Sequence, residues 1–164
     1  RPGNCYPAII SRMFDTDFLN FGYSSGGCGE ENILHYLSEL DTSVFVLDYD
    51  YNAYSVEHLQ QTHLRAYQII REHKPQLPII MISKPDIRLD HQEDLERRQI
   101  IRSTYEQALA SGDQNVYFID GYSLFGEENH FDCTVDGTHP NDLGFYRMAQ
   151  VIGAVVGQIL TNAK

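Results

Sequence analysis

The 164-residue sequence predicts an α/β fold in which helices cover both faces of a parallel sheet, and three observations carry that expectation. Short continuous apolar runs recur along the chain. Segments with apolar residues at three- and four-residue spacing separate them, and no internal repeat, low-complexity tract or linker breaks the alternation. A strand buried on both faces reads as an unbroken apolar run, and strand–helix–strand order favours parallel pairing.

The elements follow in order. Arg1-Pro2-Gly3-Asn4-Cys5-Tyr6-Pro7 reads as a loop entering a helix. Phe18-Leu19-Asn20-Phe21 is the first strand-like run, and Ile33, Leu34, Leu37 and Leu40 mark the helix after it. The run from Ser43 to Asp48 predicts a second strand, and Leu59, His63, Ala66, Tyr67 and Ile70 a helix stopped by Lys74-Pro75. Leu77 to Ser83 predicts a third strand, stopped by Lys84-Pro85. A helix runs from about Gln92 to Ser111, with Ile100, Ile101, Tyr105, Ala108 and Leu109 on its periodic face and Gly112 placed to close it. Asn115 to Asp120 is the fourth strand. The last helix starts near Asn141, an N-cap residue followed by Asp142, and continues through Phe145, Met148, Ala149, Ile152, Val156 and Leu160.

Composition bounds the function classes. With 42% hydrophobic residues, eight Phe and eleven Tyr, the chain lies far from disordered compositions, and its length suits one domain over residues 1–164. Twelve basic and 23 acidic side chains give a net charge of −11, which argues against nucleic-acid or anionic-membrane partners. No uninterrupted apolar run approaches the ~20 residues of a membrane span. Cys5, Cys28 and Cys133 are too few and too far apart for a disulfide framework.

In a parallel α/β sheet, ligands bind beyond the carboxyl ends of the strands. Four loops should meet there: Gly22 to Gly29, Asp48 to Asn52, Ser83 to Asp86, and the longer loop reaching Asp136-Gly137-Thr138-His139-Pro140-Asn141. Asp136 and His139 are the sharpest pair. A carboxylate three residues before an imidazole can hold one ring nitrogen and leave the other as a general base. The blander reading is a turn Asp beside a helix cap. His35, His58, His63 and His73 fall in helical patterns and read as packing or surface residues, whereas His91 and His130 lie in polar loops. The glycine-rich loop permits close approach of a ligand to its backbone, although it matches neither a dinucleotide fingerprint nor a phosphate loop. Asn52 offers a side-chain amide as an oxyanion donor, or it is a turn residue. Asp48, Asp50, Asp136 and His139 could gather a divalent cation, but no compact ligand spacing supports one.

Taken together, the Gly/Ser turn after an early strand, the Asn after the next, and Asp-x-x-His-Pro before the last helix resemble the SGNH hydrolases, the GDSL-like esterases and lipases. The strongest part is Val135-Asp136-Gly137-Thr138-His139-Pro140-Asn141-Asp142-Leu143-Gly144-Phe145. The resemblance implies a three-layer α/β/α sandwich with a flavodoxin-like sheet. It also implies His139 as general base, Asp136 as its orienting partner and Asn52 in the oxyanion hole, with no metal or organic cofactor. Counting from Asn20 places Ser25 where the family has an oxyanion-hole glycine. The donor there is a backbone N–H, which serine also carries.

No Gly-Asp-Ser block bearing a nucleophile occurs in the 164 residues. In the family it follows the first strand, which the implied order 2-1-3-4-5 puts in mid-sheet. The expectation is therefore a single domain whose first strand and nucleophile loop lie upstream of residue 1, in a stretch of about 15–30 residues. Ser24, Ser25 and Ser83 lack the nucleophile's context. The function implied is a serine esterase acting on small acyl esters, including acetylated carbohydrate. The rivals are a non-catalytic glycan- or protein-binding module and a metal-dependent hydrolase. Tyr23, Tyr49, Tyr51 and Tyr54 lie near the predicted site and could stack on sugar rings, or simply pack.

Overall fold

The computed structural model describes residues 2–23, 25–85 and 91–162, without the Pro2 side chain. Its helices are α1 (Tyr6–Phe14), α2 (Glu31–Glu39), α3 (Val56–His73), α4 (Gln92–Ala110) and α5 (Asp142–Asn162), and its strands β1 (Phe45–Leu47), β2 (Ile79–Ile82) and β3 (Val116–Ile119). Two compact units result. One holds residues 2–20, Pro85 and residues 121–162; the other holds the remaining described residues between 21 and 120.

The second unit contains the sheet, which is parallel and ordered β1-β2-β3. Phe45 pairs with Ile79 and Leu47 with Met81, while Ile79 pairs with Val116 and Ile82 with Ile119. Every residue of β2 is at most 1% exposed, as its unbroken Ile-Ile-Met-Ile run predicts for a strand covered on both faces. Helices α2, α3 and α4 supply Leu34, Leu59, Ala66, Ile69, Ile70, Ile101 and Ala108 to one core with Leu47, Ile79 and Met81. Local chemistry sets their ends. Ser55 Oγ accepts the His58 N–H at 3.2 Å to start α3. The predicted Gly112 closes α4 at φ +89°, with Asp113 N–H donating to Ala108 O and Gly112 N–H to Leu109 O.

The strand expected at Phe18–Phe21 does not form. That stretch is irregular, with Phe18 40% and Leu19 60% exposed, and the described residues contain three strands rather than four. A run this short, interrupted by Asn20, holds strand geometry only when one face is buried, and Phe18 and Leu19 are both exposed.

In the first unit α1 lies against α5. Gly153 and Gly157 make room for it: a Cβ on Gly157 would stand 2.7 Å from Phe14 Cζ, and one on Gly153 3.4 Å from Met13 Cε. Although no uninterrupted apolar run is that long, α5 has 21 residues and a mean hydropathy of 1.3 over its most apolar window, enough in length and composition to cross a membrane. Some 39% of that window is buried within the protein.

His63, which reads from sequence as a packing or a surface residue, is 2% exposed and bonded through Nδ1 to Thr104 Oγ1 at 2.9 Å. Thr104 spends its one proton on Ile100 O, so the imidazole Nδ1–H is the donor. Burial pushes this imidazole down to about 3. The unfolded chain therefore takes up a proton as pH falls below the ordinary histidine range, and the folded protein does not until far lower. Stability should fall by about 1.4 kcal/mol per pH unit across that window. Urea midpoints between pH 7 and 5 would show the decline in the wild type, with the slope largely gone in His63→Leu.

Candidate active site

Residues 134–141 form a tight turn before α5, in the first unit. Asp136 Oδ1 accepts the N–H groups of Thr138 at 2.9 Å and His139 at 2.7 Å, and Gly137 supplies the positive φ of +81° that the reversal needs. The turn is braced by a bridge between Thr134 and Pro140 and by Asn141 N–H donating to Cys133 O at 2.9 Å. Asn141 Oδ1 then accepts from Leu143 N and Gly144 N, capping α5 as its residue type predicts.

Within this turn Asp136 Oδ2 lies 2.6 Å from His139 Nδ1. The backbone N–H of His139, then its ring, then the N–H of Thr138 hold the Asp136 carboxyl well below the usual carboxylate range. An ionised carboxylate only accepts, so Nδ1 carries the proton and Nε2 keeps its lone pair. With the His139 side chain 81% exposed, that lone pair is open to an incoming group. This geometry is what a general base requires.

Ser25 and Asn52 belong to the other unit. Asn52 ends a single 3-10 turn, Asp50–Asn52, and its Nδ2 donates to Gly26 O at 2.5 Å and to Tyr23 O at 3.4 Å. The first contact commits one amide proton. The second is long enough to leave its proton easily redirected. Cys28 Sγ donates to Asn52 O at 3.2 Å, Cys28 N–H donates to Glu30 Oε2 at 2.7 Å, and His58 Nε2 donates to Cys28 O at 2.8 Å. The glycine-rich loop is thus stitched to the turn that carries Asn52.

Ser25 stands at φ +56°, a left-handed conformation that a side chain makes costly. Ser25→Gly should therefore raise stability by about 0.5–1 kcal/mol, the relief of strain exceeding glycine's extra chain entropy. A shifted urea midpoint measures it, and the backbone donor stays in place.

Other candidates resolve differently. Tyr49 is core rather than surface: it is 8% exposed, stacks on His63 and shares a hydrogen bond with Thr62 Oγ1, and burial pushes its hydroxyl upward. Tyr23, Tyr51 and Tyr54 are 49%, 38% and 72% exposed. Ser83 is buried, and Ser24 and Asp86 lie outside the described residues. Asp50 faces one guanidinium and one backbone donor: Arg97 Nη1 lies 3.2 Å from its Oδ1, and the backbone N–H of Lys84 donates to Oδ2 at 2.9 Å. Burial raises this carboxyl above its ordinary value, against the pull of the Lys84 N–H and the Arg97 charge.

That buried network went unread in the sequence. Lys84 pairs with Asp94, which is 4% exposed, and Arg97 with Glu93 and Asp50. A signal existed. Asp94 and Arg97 continue the buried series Ile101, Thr104 and Ala108 at three- and four-residue spacing, so both had to face inward.

The chain is similar to known proteins in family signature and in fold. A model of the GDSL-like lipase/acylhydrolase family matches residues 1–157. A structure from Bacteroides ovatus ATCC 8483, designated a GDSL-like lipase, is 31% identical with a TM-score of 0.86, over 98% of this chain and 49% of its own. The salicylyl-acyltransferase SsfX3 of a tetracycline biosynthetic pathway shares the fold at TM-score 0.77 and 21% identity, over 95% of this chain and 50% of its own. So does an active-site mutant of a family two carbohydrate esterase from Clostridium thermocellum, at TM-score 0.75 and 16% identity, over 98% and 55%. No curated protein matches. The chain spans about half the length of the solved structures it resembles.

Proposed function

The chain belongs to the GDSL-like lipase/acylhydrolase family, and from that premise we propose that the protein is a serine esterase hydrolysing small acyl esters, acetylated carbohydrate among them. The observation that carries the reading is the 2.6 Å contact from Asp136 to His139 Nδ1, which leaves Nε2 as an exposed base. A serine upstream of Arg1 attacks the ester carbonyl while Nε2 takes its proton. The oxyanion is met by the Ser25 N–H, by an Asn52 amide proton drawn from its long contact to Tyr23, and by the nucleophile's own N–H. His139 then protonates the departing alcohol, and the same base activates the water that frees the acid. No step calls for a metal.

The nucleophile's strand would add beside β1, which among the described residues pairs only with β2, so that both form part of one domain with residues 1–164. The shared fold with a carbohydrate esterase makes acetylated sugars the first natural substrates to try.

The test is p-nitrophenyl acetate turnover by the full-length protein, together with fluorophosphonate labelling. Turnover and a single labelled serine upstream of Arg1 are expected. Absence of both would refute the esterase and leave a binding module.

A further inference from the structure

We propose that Arg97 is a positioning residue for Asn52, its guanidinium gripping the turn on both sides of the asparagine. The inference rests on the reading of Asn52 as an oxyanion donor. Arg97 Nη1 donates to Asp50 O at 2.9 Å and Nη2 to Ala53 O at 3.1 Å, so the two carbonyls flanking Tyr51-Asn52 are held by one planar group. The same Nη1 reaches Asp50 Oδ1 at 3.2 Å, and Nε reaches Glu93 Oε1 at 3.0 Å. Asp50 is only 1% exposed and Arg97 5%.

A buried ion pair is costly, and replacing Arg97 and Asp50 together by apolar side chains of similar volume would fill the space at least as stably. What an apolar residue cannot do is fix two backbone carbonyls at a set separation. A rigid fork of donors can. The Lys84 N–H, donating to Asp50 Oδ2 at 2.9 Å, ties the same turn to the end of β2. From the turn, the Asn52 amide reaches Gly26 O and its carbonyl receives Cys28 Sγ, so the placement of the Ser25 loop depends on it as well. The whole chain of contacts, Arg97 to turn to Asn52 to loop, lies within one compact unit.

Arg97→Lys in the full-length protein is the informative variant. Lysine keeps a positive charge beside Asp50 but, as a single ammonium, cannot span both carbonyls. Turnover of p-nitrophenyl acetate should show kcat down by about 10–100-fold with KM within about twofold, the pattern of a displaced transition-state contact. Asn52→Ala should cost about 10²–10³ in kcat. Adding Arg97→Lys to Asn52→Ala should then cost no more than about threefold, because the amide is gone and only the Cys28 Sγ contact to the backbone carbonyl of residue 52 still links the turn to the Ser25 loop. If Arg97→Lys does not fold, the neutral pair Asp50→Asn with Arg97→Gln goes through the same cycle. An unchanged kcat, or an equal loss in both backgrounds, overturns the inference and leaves the esterase standing. Should Asn52→Ala itself keep full kcat, the oxyanion reading of Asn52 fails and the role of Arg97 fails with it.

Discussion

His139→Ala in the full-length protein is expected to lower kcat by about 10⁴-fold or more toward p-nitrophenyl acetate, since the nucleophile then has no base to take its proton. The loss should not reflect unfolding. The His139 side chain is 81% exposed and, among the described residues, its ring bonds to Asp136 within the turn, so stability should change by less than about 0.5 kcal/mol. Asp136→Asn gives the more discriminating result. The carboxamide oxygen can still accept the Thr138 and His139 N–H groups, so the turn persists, but an amide donor facing Nδ1 favours the wrong tautomer. A drop of about 10²–10⁴ in kcat with an unchanged circular dichroism spectrum is expected. Equal rates for wild type and His139→Ala would remove the assignment of the base.

Arg97→Met should be the most destabilising single change, because it leaves the Asp50 carboxylate buried without its cation. Orphaning one partner of a buried pair costs about 3–5 kcal/mol, or a fall of about 10–15 °C in Tm for a chain of this size. Asp50→Asn in the same background should recover at least ~1 kcal/mol by removing the stranded charge. The pH response fixes the sign. Burial already raises the Asp50 carboxyl, and loss of the guanidinium raises it further. A group with a raised folded pKa stabilises the folded state at low pH and ceases to do so as it ionises. The gap between Arg97→Met and wild type should therefore narrow on acidification, as paired urea titrations would record. His63 contributes equally to both proteins and cancels.

Much of the fold was legible because burial leaves a simple trace. Ile79-Ile80-Met81-Ile82 is apolar at every position and lies in mid-sheet, and Gly112 and Asn141 mark helix ends by their own chemistry. Phe18–Phe21 misled because apolar character alone does not supply a partner strand. The Asp136–His139 contact was readable since both residues sit in one turn. Arg97 and Asp94 were not, because charged residues near a helix start resemble a solvated face unless their register is followed into the apolar stripe. Tyr49 took the packing alternative that a tyrosine after a strand offers, its ring turned into the core against His63.

The Asp136 turn has a consequence for how the protein assembles. Each hydrogen bond that orients His139 spans at most three residues, so it forms at the speed of local loop closure and needs no distant packing. The Asn52 region, by contrast, joins residues 26, 28, 50, 53, 84 and 97, and it exists only once α4 and the end of β2 have met the turn. A partly folded chain would hold the Asp136–His139 contact before the contacts around Asn52 existed.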